Sequence, residues 1–146
     1  MIAIGCDQGG FALKQIYMEY LKENGYEFED FGSYDEKSID YPVIAKKVCA
    51  AIQQKQCDKG ILICGTGIGM SIAANKMKGI RASVCHEAFT AEITRRHNDS
   101  NVLCVGARVI GSEVALSVLK AWLTAEFEGG RHQRRVDLMT QMENEQ

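Results

Sequence analysis

Gly60-Ile61-Leu62-Ile63-Cys64-Gly65-Thr66-Gly67-Ile68-Gly69-Met70-Ser71-Ile72-Ala73-Ala74-Asn75-Lys76 is the stretch that decides the fold of this chain. An unbroken apolar run gives way to alternating glycines and then to small residues, which reads as a buried strand, a tight turn and a helix. Glycines at 65, 67 and 69 permit positive φ and let a ligand approach the backbone without meeting a Cβ. Amides at the start of the helix face whatever lies there, so the turn favours negative charge. Cys64 stands where the strand ends, beside that helix start, in a setting that favours a thiolate and suits a general base. Thr66 adds a hydroxyl to the same turn. The residues read equally as a phosphate loop with a bystander cysteine, because Gly-x-Gly-x-Gly falls short of the Gly-x-Gly-x-x-Gly dinucleotide fingerprint. The stretch by itself leaves both readings open.

Outward from the turn, strand-like and helix-like segments alternate. Residues 1–6 form an apolar run ending at Asp7-Gln8-Gly9-Gly10, followed by Leu13, Ile16, Tyr17, Tyr20 and Leu21 at helical spacing. Residues 26–31 alternate as a half-exposed edge strand does, and residues 32–40 are a polar loop. Tyr41-Pro42 opens a helix, with proline in its first turn and Ile44, Val48, Ala51 and Ile52 on one face. Tyr41 reads first as packing at that helix start, with a ligand contact as the second possibility. Residues 79–85 predict another strand and residues 87–97 a helix with Phe89 and Ile93 facing inward. His97 closes it, where a histidine also satisfies carbonyls and the dipole, and Asn98 suits a left-handed cap. Residues 101–106 give a further strand, with Arg108 just past its end. A helix then buries Val114, Ala115, Val118, Leu119 and Trp122.

The last helix, through Val136, Met139 and Met142, follows Glu128-Gly129-Gly130-Arg131-His132-Gln133-Arg134-Arg135. Guanidinium forks pair phosphate oxygens bidentately, whereas cations at a helix N-terminus oppose its dipole and favour a nearby anion. Strands alternating with helices predict a three-layer α/β/α, Rossmann-like single domain over residues 1–146, with a parallel sheet of about five strands and a C-terminal helix. Turns after the strands then bring Asp7, Cys64, Thr66 and Arg108 to one sheet edge.

Composition narrows the function classes. Lysine plus arginine at 17 against aspartate plus glutamate at 19 leaves a net charge of -2, which provides no global field for nucleic acid or an anionic membrane surface. No apolar run approaches the roughly 20 residues of a membrane span, and the first residues read as a strand, so a cytoplasmic protein is expected. Six cysteines without C-x-x-C spacing indicate neither a disulfide framework nor a zinc site.

Taken together, Gly5-Cys6-Asp7 with Gly10, Asp40-Tyr41-Pro42, Ile63-Cys64-Gly65-Thr66-Gly67-Ile68-Gly69 with Ala73-Ala74-Asn75-Lys76, Gly79-Ile80-Arg81-Ala82, Arg96-His97-Asn98-Asp99, Gly106-Ala107-Arg108-Val109-Ile110-Gly111 and Glu128 to Arg135 carry a resemblance. The chain resembles the type B ribose-5-phosphate isomerases, which form one sugar-phosphate isomerase family with the galactose-6-phosphate isomerase subunits. The resemblance implies aldose-ketose isomerisation of a phosphorylated sugar, most directly ribose 5-phosphate to ribulose 5-phosphate. Cys64 is then the base that moves a proton between C1 and C2, and Thr66 with the amides of Gly65, Gly67, Ile68 and Gly69 steadies the enediolate. His97 helps to open the furanose ring, Asn98 contacts the same end, and Asp7 holds hydroxyls. Arg108, Arg131 and Arg135 take the phosphate. It also implies dimers or dimer pairs with active sites shared between subunits, and no metal or organic cofactor.

One departure stands out: Gln8 occupies the position where the family usually has histidine. Glutamine carries no proton or charge, which predicts retained chemistry with altered preference among ribose, allose, galactose and tetrose phosphates. Two rival readings are a non-catalytic sugar-phosphate binder and a cysteine hydrolase using Cys64 with His97. Neither accounts for the arginine cluster together with the glycine turn.

Overall fold

The computed structural model describes residues 1–146. Five parallel strands form one sheet in the order β2-β1-β3-β5-β4, where β1 is Ile2–Cys6, β2 Phe28–Asp30, β3 Lys59–Cys64, β4 Ala82–Val84 and β5 Val102–Gly106. The inner strands β1 and β5 are buried along their whole length, and β3 is buried at every residue after Lys59. This is why they read as continuous apolar runs: helices cover both faces of a parallel sheet. The edge strands β2 and β4 are short and half-buried.

Six helices follow: α1 Phe11–Glu23, α2 Tyr41–Gln53, α3 Ile68–Ala74, α4 Ala88–Asn98, α5 Ser112–Thr124 and α6 Arg131–Asn144. Leu13, Tyr17 and Leu21 of α1, Ala91 of α4 and Val118, Leu119 and Trp122 of α5 pack on one face with Ile4, Ile61, Ile63 and Leu103. Ile44, Val48 and Cys49 of α2 and Met70 and Ala74 of α3 pack on the other with Ala3, Leu62, Cys64 and Cys104. Helices whose connections run toward β2 take one face and those running toward β4 the other, as uniform right-handed crossovers require. Connections therefore diverge between β1 and β3, and α3 and α5 leave β3 and β5 on opposite faces. Crevices open at the carboxyl ends of these strands.

Several expectations need correction. Phe89 is 68% exposed and Val114 is 44% exposed. The inner face of α4 is instead Ala91, Thr94 and Arg95, with Ile93 half-buried. The left-handed cap of α4 is Asp99, at φ 47°, and not Asn98, which is its last helical residue. Strand β4 is confined to three of the residues from 79 to 85. Gly79 turns left-handed, and Asn75 clamps Ala82 by accepting from its amide at 2.8 Å and donating to its carbonyl at 3.0 Å.

Candidate active site

At the carboxyl edge of the sheet, the turn after β1 and the turn after β3 interlock. The Asp7 amide donates to the Ile63 carbonyl at 3.1 Å, and the buried Asp7 carboxylate accepts from the Gly9 amide at 2.9 Å. Gly10 lies against Ile63 so closely that a Cβ would come within 2.6 Å of its carbonyl oxygen. Cys64, 5% exposed, ends β3, and its Sγ receives the Gly67 N–H at 3.1 Å. That contact requires the chain to reverse within three residues, which Gly67 permits at φ 77°. A backbone N–H aimed at sulfur is a charge-assisted hydrogen bond when the sulfur is an anion.

Side chains from three further segments close on this turn. Arg108, in the loop after β5, is tied to it by its own amide, which donates to the Gly65 carbonyl at 3.0 Å. Its guanidinium lies over Gly65, where a Cβ would be 3.3 Å from Nη1. The Tyr41 ring at the start of α2 covers Gly69, where a Cβ would be 2.6 Å from Cε1. Thr66 is exposed, and its Oγ1 accepts from the Ile68 amide at 3.2 Å. Gln8 braces the loop leading to Tyr41, its Oε1 accepting from the Ile39 amide at 3.0 Å. Asp7, Gln8, Tyr41, the Cys64–Gly69 turn and Arg108 thus share one edge.

His97, Asn98, Arg131 and Arg135 do not. Helices run antiparallel to the strands they follow, so the end of α4 lies at the amino edge, before β5, whereas Arg108 lies beyond it. The five residues of β5 separate the two groups by about 17 Å at roughly 3.3 Å per residue. At this far edge His97 stacks on His132, with ring centroids 4.1 Å apart and planes 9° apart. Glu128 binds Arg96 at 2.6 Å and stands 3.8 Å from His97 Nε2 and 3.7 Å from His132 Nε2. Its hydrogen bond from Arg96 holds the Glu128 carboxyl below the usual carboxylate range. Burial, His97 and Arg131 together hold His132 below the ordinary histidine range.

His97, Glu128 and His132 bring ligand-type atoms within 4.8 Å of one another. Arg96 already holds the carboxylate, and Arg131 and Arg135 disfavour charge on His132, so the surroundings oppose a further cation. Arg108, Arg131 and Arg135 make no ion pair within the chain. A concavity of ≈ 530 Å³ between the end of α3 and α6 is lined by residues including Lys76, Arg81 and Met142 and does not contain Cys64.

Two histidines escaped the sequence reading. His86 Nε2 accepts the Gly106 amide at 3.0 Å, fixing the strand end against which Thr66 packs. It lies two residues beyond β4, the kind of position that singled out Asp7 and Arg108, and that was the available signal. His132 sits inside the quoted arginine cluster, where the charges drew attention away from it.

The ribose/galactose isomerase family model matches residues 2–139. Ribose-5-phosphate isomerase B of Escherichia coli is 51% identical over 97% of this chain and 95% of its own length. D-erythrulose-4-phosphate isomerase of Pectobacterium atrosepticum is 42% identical over 99% and 96%. The structure of Clostridium thermocellum ribose-5-phosphate isomerase B superposes with a TM-score of 0.97 at 49% identity, covering 99% of this chain and 97% of that one. Interlocked turns around Cys64 and near-complete correspondence along the chain lead to one conclusion: the protein belongs to the ribose/galactose isomerase family of sugar-phosphate aldose-ketose isomerases.

Proposed function

We propose that the protein interconverts ribose 5-phosphate and ribulose 5-phosphate through an enediolate, with Cys64 as the base. The observation that carries this reading is the sulfur of Cys64, buried at a strand tip, under the Gly67 N–H and beside the Arg108 guanidinium over Gly65. Abstraction of the C2 proton of the open-chain aldose leaves negative charge on O1, which Thr66 and the amides of Gly65, Gly67, Ile68 and Gly69 are placed to meet. The O2 proton passes to O1, and return of the abstracted proton at C1 as the C2 carbonyl forms completes the isomerisation. Asp7 and Asn98 hold hydroxyls, His97 donates a proton to the ring oxygen as the furanose opens, and Arg108, Arg131 and Arg135 bind the phosphate. Remote phosphate binding then supplies orientation at the reacting carbons.

The separation of the two edges favours a site built between subunits of a homodimer or dimer of dimers, His97, Asn98, Arg131 and Arg135 of one serving Cys64 of the other. A tetrose phosphate is the second substrate reading. It is favoured by uncharged Gln8, whose Oε1 holds the Ile39 amide, and by the relative that acts on erythrulose 4-phosphate. Six free, buried cysteines suit a reducing compartment and support a cytoplasmic location.

Mixing inactive variants tests the reading. Cys64→Ala and His97→Asn dimers, unfolded together and refolded at equal ratio, regain about a quarter of the wild-type sites, because each mixed dimer holds one intact site of two. No recovery on mixing refutes the shared site. Retention of ordinary turnover by Cys64→Ala refutes the base.

A further inference from the structure

His132 is buried, yet its Nε2 has no hydrogen-bond partner, and it lies flat against His97. It lies in the first turn of α6, where the Gly129 carbonyl accepts its amide at 3.0 Å. The segment before α6 is anchored to α4 by the Glu128 amide, which donates to the Arg96 carbonyl at 3.0 Å. The ring is therefore carried on backbone fixed to the same helix end that carries His97. Its Nε2 has less than 1 Å² of accessible surface, so that atom cannot reach a sugar without rearrangement.

We propose that His132 is a positioning residue for His97, setting its ring plane by stacking. Two imidazolium rings at 4.1 Å repel, so the pair accepts a single proton readily. The groups facing the pair are Arg96 of α4, Glu128 of the connecting segment, and Arg131 and Arg135 of α6. Burial and the adjacent guanidinium groups disfavour charge on His132. His97 is half-exposed whereas His132 is buried, and Glu128 stands 3.8 Å from one Nε2 and 3.7 Å from the other. A flat neighbour that stays neutral thus holds the His97 ring in the orientation that proton transfer to a sugar ring oxygen needs.

This inference rests on the reading of His97 as the ring-opening acid, and the test separates the two. The protein has three histidines, so imidazole nitrogen spectra of the intact wild-type enzyme resolve each ring. His132 is expected to keep the neutral pattern throughout the pH range in which the enzyme turns over. A protonated His132 in that range overturns the proposal, whatever the variants do. In kinetics, His132→Leu, which lacks a ring face, lowers kcat/KM for ribose 5-phosphate by about tenfold or more through misorientation. It leaves turnover of erythrose 4-phosphate, which forms no furanose ring, within about twofold of wild type, and His132→Phe restores most of the loss by supplying a flat neutral ring. Equal losses on both substrates, or no loss on either, overturn the proposal. His97→Asn, if it spares ribose 5-phosphate turnover, overturns the ring-opening reading itself, whereas selective loss in His97→Asn without loss in His132→Leu overturns only the role of His132.

Discussion

Gly67 and Gly69 sit two residues apart in the same turn, yet the structure gives alanine at each a different outcome. At Gly67 the backbone is left-handed, φ 77°, and a Cβ would lie 2.9 Å from the Val105 carbonyl carbon. That neighbour is central-strand backbone and has nowhere to go. Left-handed strain of about 1–2 kcal/mol and overpacking of about 1–3 kcal/mol sum to ~2–5 kcal/mol, a fall in Tm on the order of 10 °C for a chain of this size. The Gly67 N–H also moves relative to Cys64 Sγ, so activity falls as well. At Gly69 the obstacle is the Tyr41 ring, with Cε1 at 2.6 Å and Cζ at 2.7 Å, the far end of a side chain 39% exposed. The ring can swing outward, and alanine is favoured over glycine in a helix by up to about 1 kcal/mol. Gly69→Ala is therefore expected to hold or raise Tm while displacing the ring over the turn and lowering kcat/KM by about tenfold. Thermal unfolding followed by circular dichroism, alongside a coupled isomerisation assay, reads both quantities. If Gly69→Ala loses as much Tm as Gly67→Ala, or if Gly67→Ala keeps wild-type Tm, the packing account of this turn is wrong.

Burial pushes the Cys6 and Cys85 thiols up to about 11 and Cys49 up to about 12, from an ordinary value of 9.0. Iodoacetamide at about pH 8 is thus expected to modify Cys64 ahead of these three and to inactivate the enzyme, with sugar phosphate protecting; peptide mapping by mass spectrometry decides it. The same shifts predict alkaline instability: folded thiols stay neutral while unfolded ones ionise, so stability is full below pH 9 and falls as the pH rises toward 11 to 12. Urea unfolding at about pH 8 and about pH 10.5 should show a smaller difference for Cys49→Ala than for wild type. Lys14, with no exposed side-chain surface, meets the Asp30 carboxylate at 2.7 and 2.9 Å, so Asp30→Ala leaves a buried charge unpaired. It should lower unfolding free energy by about 3–5 kcal/mol in denaturant titration, and a loss below about 1 kcal/mol contradicts that pairing.

What was legible in the sequence was what a single segment determines. Strands β1, β3 and β5 announce themselves because both faces are covered, and the glycines of the β3–α3 turn because backbone approaches backbone there. The convergence of Asp7, Cys64, Thr66 and Arg108 followed from parallel strands alone. Helix faces were less legible where apolar residues are not the inner ones. In α4 the buried positions include Thr94, which shares a hydrogen bond with Ser83, and Arg95, whose charge is met by Asp99 at 3.0 Å. Arg95 also lies 5.9 Å from the Trp122 ring, so a charged residue fills an inner position of α4 that a periodicity count reserves for an apolar one. The excursion to edge strand β4 before the return to β5 depends on contacts between distant segments, and no local pattern records it.

Strand polarity carries the functional consequence. In a parallel sheet every strand exit faces one edge and every helix that returns the chain ends at the other. Residues that follow strands, such as Asp7, Cys64 and Arg108, therefore cannot meet residues at the end of α4 or the start of α6 within one copy. In the proposed mechanism the near edge supplies a base and amides suited to charge that appears only during reaction, and the far edge supplies Arg131 and Arg135 for charge that the substrate brings with it. A sugar phosphate carries both kinds of charge at its two ends. If the two edges meet across a two-fold interface, each dimer gains two identical sites, and an isolated subunit holds a base with only part of the phosphate grip that would orient its substrate. Assembly then becomes a condition for catalysis, imposed by the direction in which the chain must run.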